Sequence, residues 1–242
     1  MIKWLARRLI GHISARTNEQ MFHAPVLHNG ALSALDPRKF AQIHVGLEAG
    51  AFYSKHLYNV PFFENYIDHL AEMARRSTRL GDGAILEFGV ASGTTLKAIA
   101  NSTKRQVIGF DSFAGLPSDW RDGINAGAFA CEPPNVPRNA VLKIGRIENT
   151  LPEFLTEIAG SAINFIHIDT DLYEPAKFIL DGCAPFMRDT IIVFDEFFNY
   201  PGWRDHEFKA FSEFQESNKD RFRFRYLGLG GVKAISVQVT RI

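Results

Sequence analysis

The chain has 242 residues, with 27 basic and 27 acidic side chains and two cysteines, Cys131 and Cys183. Balanced charge removes the global positive field that would argue for nucleic acid, and two distant thiols exclude a disulfide scaffold or a thiolate metal site. No apolar run is long enough to span a bilayer, and the basic opening MIKWLARRLIGHISAR lacks the unbroken apolar core of a secretory signal, so a cytoplasmic enzyme or binding protein is expected.

Trp4, Leu5, Arg8, Leu9 and His12 recur at helical spacing, which predicts a helix packed on the body or on a second subunit. Residues 17–35 are irregular around Pro25 and Gly30 and form a candidate lid. Helices are expected over 40–57, on Ile43, Leu47, Ala51 and Ser54, and over 62–80, on Ile67, Leu70, Met73 and Ala74. Residues 1–80 thus read as a helical elaboration whose apolar surface a homodimer can bury.

From Gly83 the rhythm becomes strand and helix in alternation. Strands are expected at 84–88, 107–110, 140–144, 163–168 and 190–194. Helices are expected from Thr94, over 151–159, around 176–180 behind Pro175, and from Gly202 to about Asp220. Alternation of this kind predicts an α/β chain with a mostly parallel sheet, so residues 81–242 form the main domain. The tail departs from it: 221–226 and 232–239, joined by the glycine-rich 228–231, read as an antiparallel hairpin on one edge. Arg221, Arg223 and Arg225 alternate with aromatics and are read as a solvated strand face.

The chemistry gathers at strand ends. The stretch AILEFGVASGT (84–94) runs a strand into a turn holding Glu87, Gly89 and Gly93, and Thr94 opens a helix whose first amides are free for a polar or anionic group. Asp111 ends the next strand, where a carboxylate can accept hydrogen bonds from a ribose. A nicotinamide dinucleotide and a nucleoside such as S-adenosylmethionine both satisfy that reading, as does a turn-capping acid; the incomplete G-x-G-x-x-G pattern lowers the dinucleotide. HIDTDLY (167–173) and FDEFFNY (194–200) deliver Asp169, Asp171, Asp195 and Glu196 to neighbouring strand ends. Four such carboxylates call for a cation or a proton, and oxygen donors without cysteine favour Mg²⁺, Mn²⁺ or Ca²⁺. His206, in YPGWRDHEF (200–208), lies near the same mouth as a substrate contact, a structural histidine or a base.

These pieces, EFGVASGTT (87–95), GFDSFAGLP (109–117), GRIENTLPEF (145–154), HIDTDLYEP (167–175) and VFDEFFNYPGWRDHEFKAF (193–211), resemble the macrocin O-methyltransferase (TylF-like) family of class I S-adenosylmethionine-dependent enzymes. The resemblance implies a Rossmann-like sheet of seven strands and methyl transfer from S-adenosyl-L-methionine to a hydroxyl of a small molecule, a sugar moiety of a natural product, with Mg²⁺ or another divalent cation. It assigns Glu87, Gly89, Gly93 and Thr94 to the methionine side of the cofactor and Asp111 to the ribose. Ser112 and Phe113 fall beside the adenosine, and Gly145 and Arg146 border the adenine. Asp171, Asp195 and Glu196 form the implied metal set, with Asp169 close behind on the cofactor side; either Asp169 or Asp171 can be the direct ligand. Asp171 is the implied proton acceptor, with His206 in reserve. Glu196 departs from relatives that carry Asp-Asp at this pair. A catechol-like acceptor, or a nucleotide-binding protein without turnover, is the competing reading.

Overall fold

The computed structural model describes residues 36–121 and 123–242; the expected helix near residues 4–12 and the candidate lid at 17–35 lie outside these. Helix α1 (Pro37–His56) begins where Asp36 accepts a hydrogen bond from the Arg38 amide at 3.1 Å, with Pro37 in the first turn. The expected helix over 62–80 divides. Phe62–Phe63 is a short strand, β1, and helix α2 (Tyr66–Ser77) starts only after Asn65, whose side chain accepts from the Ile67 amide at 2.7 Å. The cap decides that break.

The alternating region follows the expectation closely: β2 (Ala84–Phe88), α3 (Thr94–Asn101), β3 (Val107–Asp111), β4 (Ala140–Ile144), α4 (Ile147–Glu157), β5 (Ile163–Ile168), α5 (Tyr173–Cys183), β6 (Met187–Phe194) and α6 (Glu207–Ser217). Helix α4 starts four residues before the expected 151, and a 3-10 turn, Trp203–Asp205, precedes α6. The chain ends in β7 (Phe222–Gly230) and β8 (Ala234–Arg241), an antiparallel pair. The expected turn at 228–231 lies partly inside β7. Gly228 and Gly230 serve packing there: a Cβ on Gly230 would fall 2.4 Å from His69 Nδ1, so the bare backbone makes room for that buried imidazole.

One mixed sheet orders the strands β1-β7-β8-β6-β5-β2-β3-β4. It holds the seven expected strands plus β1, which pairs parallel with β7. The chain runs outward from β2 to β4, then returns to β5 on the other side of β2, so the strand order reverses between β2 and β5. A crevice at the carboxyl ends of those strands is the usual ligand site of such sheets.

Alternation along the strands builds two cores. Leu86, Phe88, Phe110, Ile166, Ile168 and Phe194 pack with α4, α5 and α6, whereas Ile85, Val107, Phe165, Ile191 and Val193 pack with Leu70 and Met73 of α2 and Leu96 and Ile99 of α3. Beyond the register irregularity at Ile163/Phe165, the odd-numbered Ile85, Phe165, Ile191 and Val193 therefore face α2, and so do the polar Glu87 and His167, which pair in register across β2 and β5.

A candidate active site at the strand ends

Backbone hydrogen bonds level the strand ends. The Gly89 amide donates to Phe110 at 3.0 Å, Asp169 to Phe88 at 2.9 Å, Asp195 to Ile168 at 3.1 Å and Gly145 to Asp111 at 2.9 Å. Gly89 is obligatory in this arrangement: its φ is +87°, and a Cβ would sit 1.8 Å from the Asp169 carbonyl oxygen. Above the edge lies a cleft of about 1210 Å³, covered on one side by the segment between β3 and β4.

Of the residues expected from sequence, Gly89, Asp111, Ser112, Gly145, Arg146, Asp169, Asp171, Asp195, Glu196 and His206 line this cleft. Glu87, Gly93, Thr94 and Phe113 do not. Glu87 is fully buried under the turn, where its Oε1 lies 2.9 Å from His167 Nδ1. Gly93 caps α3 with φ +75° beneath Pro134 of the covering segment, and the Thr94 hydroxyl pairs with Ser92 at 3.0 Å. Phe113 is buried in the α2/α3 core while its amide donates to Asp111 Oδ1 at 2.7 Å. Asp111 also accepts from the Val90 and Ala91 amides, both at 2.8 Å through Oδ2. Its carboxylate thus caps the glycine turn as well as facing the cleft.

The acidic cluster occupies the other half. Burial pushes the Asp169 carboxyl well above the usual carboxylate range, reinforced by Asp195 and Asp171. Burial, then Glu196 and Asp195, push Asp171 up to about 8, against the opposing pull of Arg121 and Lys233. Asp195 is likewise raised, by burial and Glu196. Asp171 holds φ +62°, a left-handed conformation that projects it from the turn after β5. Behind the cluster, Glu207 is buried, accepts from the Thr170 amide at 3.3 Å, and is itself raised well above its ordinary range by burial and Asp171.

Two cations that the sequence reading missed enter here. Lys233, in the β7–β8 turn, donates to Glu196 Oε1 at 2.8 Å, and Arg121, in the covering segment, lies 3.4 Å from Glu196 Oε2. That second oxygen is buried and makes no hydrogen bond. Arg121 also stacks over Trp120 at 3.9 Å and lies 5.4 Å from the centre of the Tyr200 ring. His206 stacks beside Tyr200 at 6.3 Å, and partial burial holds its pKa below the ordinary value, which favours a neutral imidazole.

Donor atoms of His167, Asp169 and Asp195 lie within 4.8 Å of one another. His167 is a poor donor despite that spacing, because Nδ1 faces Glu87 and Nε2 faces the Tyr66 hydroxyl at 2.5 Å. The carboxylates fit a hard divalent cation better. Three half-buried acids share one mouth with a deficit of positive charge, and Glu196 keeps an oxygen without a hydrogen-bond donor. Among the described residues, no helix is long and apolar enough to cross a membrane.

A doubly wound sheet with a closing antiparallel hairpin and a glycine turn at its reversal point is the Rossmann-like class I methyltransferase fold. Residues 86–197 match the family model described as a methyltransferase domain. Among solved structures, CalS11, calicheamicin methyltransferase, is 22% identical over 88% of this chain and 98% of its own, with a TM-score of 0.59. The apo form of CalS11, described as a TDP-rhamnose 3'-O-methyltransferase of calicheamicin biosynthesis, is 24% identical over 71% and 76%, with a TM-score of 0.50. The O-methyltransferase NovP is 15% identical over 83% and 100%, with a TM-score of 0.52. These likenesses concern the fold. No curated protein matches the sequence. The matched domain and the fold together support an S-adenosylmethionine-dependent methyltransferase.

Proposed function

We propose that this protein transfers a methyl group from S-adenosylmethionine to a hydroxyl of a small molecule, with a divalent cation, and that it is related to the macrocin O-methyltransferases. The observation that carries the reading is the meeting, in one cleft, of the glycine turn with Asp111 and the cluster Asp169, Asp171, Asp195 and Glu196. The acceptor we favour is a sugar hydroxyl of a natural product, in keeping with the sugar substrate in the name of CalS11; a catechol is the alternative.

The chain's own groups divide the work. The turn 89–93 and Asp111 hold the donor, and Ser112, Gly145 and Arg146 border its nucleoside. Asp171 and Asp195 hold the cation, with Asp169 next in reach. Glu196 joins only by exchanging Lys233 or Arg121 for the ion. When bound, the donor offers an electrophilic sulfonium methyl and the cation lowers the pKa of a hydroxyl beside it. Whichever of Asp169 and Asp171 stays off the ion is placed to take the proton, with neutral His206 as the second acceptor. Trp120 and Tyr200 wall the acceptor side and keep water from the transfer.

Calorimetric titration with S-adenosylmethionine and with Mg²⁺ tests the division. Asp111→Ala is expected to weaken the donor by about tenfold or more and leave Mg²⁺ affinity intact. Asp195→Ala is expected to do the reverse. Equal loss of donor affinity in both variants would refute it, and turnover of catechols but not sugars would shift the acceptor class.

A further inference from the structure

We infer that Arg121 is a built-in counter-ion of Glu196 that the divalent ion displaces on binding, so that filling the acidic mouth loosens the segment covering it. The inference rests on the cleft being a cation site, as proposed above.

Glu196 is held by two unlike contacts. Lys233 Nζ donates to Oε1 at 2.8 Å, the length of a well-seated charge-assisted hydrogen bond. Arg121 Nη1 lies 3.4 Å from Oε2 in an ion pair that makes no hydrogen bond, and Oε2 is buried with no hydrogen-bond partner. A buried carboxylate oxygen left without a donor is costly, so Glu196 keeps a lone-pair position that a better-fitting cation can fill. An ion from the cleft reaches that buried oxygen only after a neighbour moves. The guanidinium is the neighbour that already carries the charge the ion replaces.

Arg121 is placed to let go. Its guanidinium lies 3.9 Å from the centre of the Trp120 ring and 5.4 Å from that of Tyr200, and such stacking supports it when the carboxylate is given up. Its backbone sits in a turn, where the Ile124 amide donates to Arg121 at 2.8 Å and the Trp120 amide to Ile124 at 3.0 Å. The pair with Glu196 therefore ties that turn of the covering segment to the end of β6. A second tie is the edge-on contact of Trp120 with Tyr200, at 5.9 Å between ring centres. Displacing Arg121 removes the first tie and spares the second, so the cover loosens without detaching. Arg121 and the ion also compete for the same negative charge, and each weakens the hold of the other.

The test is calorimetric Mn²⁺ binding to the full chain at one fixed pH, with hydrogen exchange of residues 116–128 read in parallel. R121M keeps an apolar stem over Trp120 and removes the charge. It is expected to raise Mn²⁺ affinity about tenfold while S-adenosylmethionine affinity stays within about twofold. R121K keeps the charge and is expected to stay within about threefold of wild type, a rescue that a packing role would not give. Mn²⁺ is expected to speed exchange of 116–128 in wild type by about threefold or more, and to leave R121M, already fast, unchanged. Wild-type protein that binds no Mn²⁺ would overturn the cation reading and this inference together. Mn²⁺ binding that R121M weakens or leaves as it was, or that R121K raises as much as R121M does, would overturn this inference alone. So would wild-type exchange that Mn²⁺ slows or does not change.

Discussion

Gly89→Ala is the sharpest perturbation available at this site, because two separate costs fall on one atom. The backbone there has φ +87°, a conformation that costs an L-residue about 1–2 kcal/mol. The added Cβ would also lie 1.8 Å from the Asp169 carbonyl oxygen and 2.8 Å from its carbonyl carbon, and neither can yield without moving the end of β5. Overpacking of that kind typically costs a further 1–3 kcal/mol or so. Displacing β5 further strains the 2.9 Å bond from the Asp169 amide to Phe88, giving a total near 3–5 kcal/mol. Gly231 is the control: its φ is +57°, yet a Cβ there meets nothing within 4 Å, so Gly231→Ala should cost only about 1–2 kcal/mol of backbone strain. Thermal unfolding reads the contrast as a fall of roughly 6–20 °C against roughly 2–8 °C. Calorimetry should add a loss of cation affinity for Gly89→Ala, since Asp169 moves with the strand. Equal destabilisation of the two variants would refute the claim that a carbonyl collision fixes this glycine.

Two dependences on pH follow from burial. With Asp171 raised to about 8 in the cation-free protein, protons stabilise its folded form, and stability contributed by that site declines as pH rises from the ordinary carboxylate range towards 8. Cation binding must displace the proton, so Mg²⁺ should raise the melting temperature more at pH 8 than at pH 6; an equal rise at both would count against the site. His69 runs the other way. Burial lowers its pKa from 6.5 to about 4, with the nearby charges of His167 and Arg76 adding, while Nε2 contacts the Ser236 hydroxyl at 2.9 Å. Its neutral form is full support above pH 6.5 and is lost as pH falls towards 4, worth about 3 kcal/mol over that window. Urea unfolding of His69→Gln should show a correspondingly shallower acid loss than wild type, and parallel curves would remove His69 as its source.

Much of the frame is local and therefore readable in the sequence. Apolar runs that end in acid, Ile163–Ile168 into Asp169 and Thr190–Phe194 into Asp195, declare both a buried strand and its functional end, because the apolar side chains seek the core and the carboxylates mark where the strand leaves it. The glycine turn at 89–93 and the recurring strand–helix alternation fix the sheet class in the same way. Helix starts were less legible. Asn65 caps α2 and cuts the expected helix over 62–80, its side chain accepting from the Ile67 and Asp68 amides and so outweighing the apolar pattern before it.

What only the tertiary structure decided is which groups share a hydrogen bond across long separations. Gly228 and Gly230 look like turn residues, yet they clear space for His69, some 160 positions earlier. Lys233 and Arg121 converge on Glu196 from opposite covers of the cleft, changing an expected ligand into the anchor of two ion pairs. Tyr66 reaches His167 from 101 residues away, and nothing in its own neighbourhood marks it for that contact. Patterns of burial repeat every two or four residues and are written in the chain; partners for buried polar atoms are set by strand order, which the return of the chain to β5 beside β2 creates.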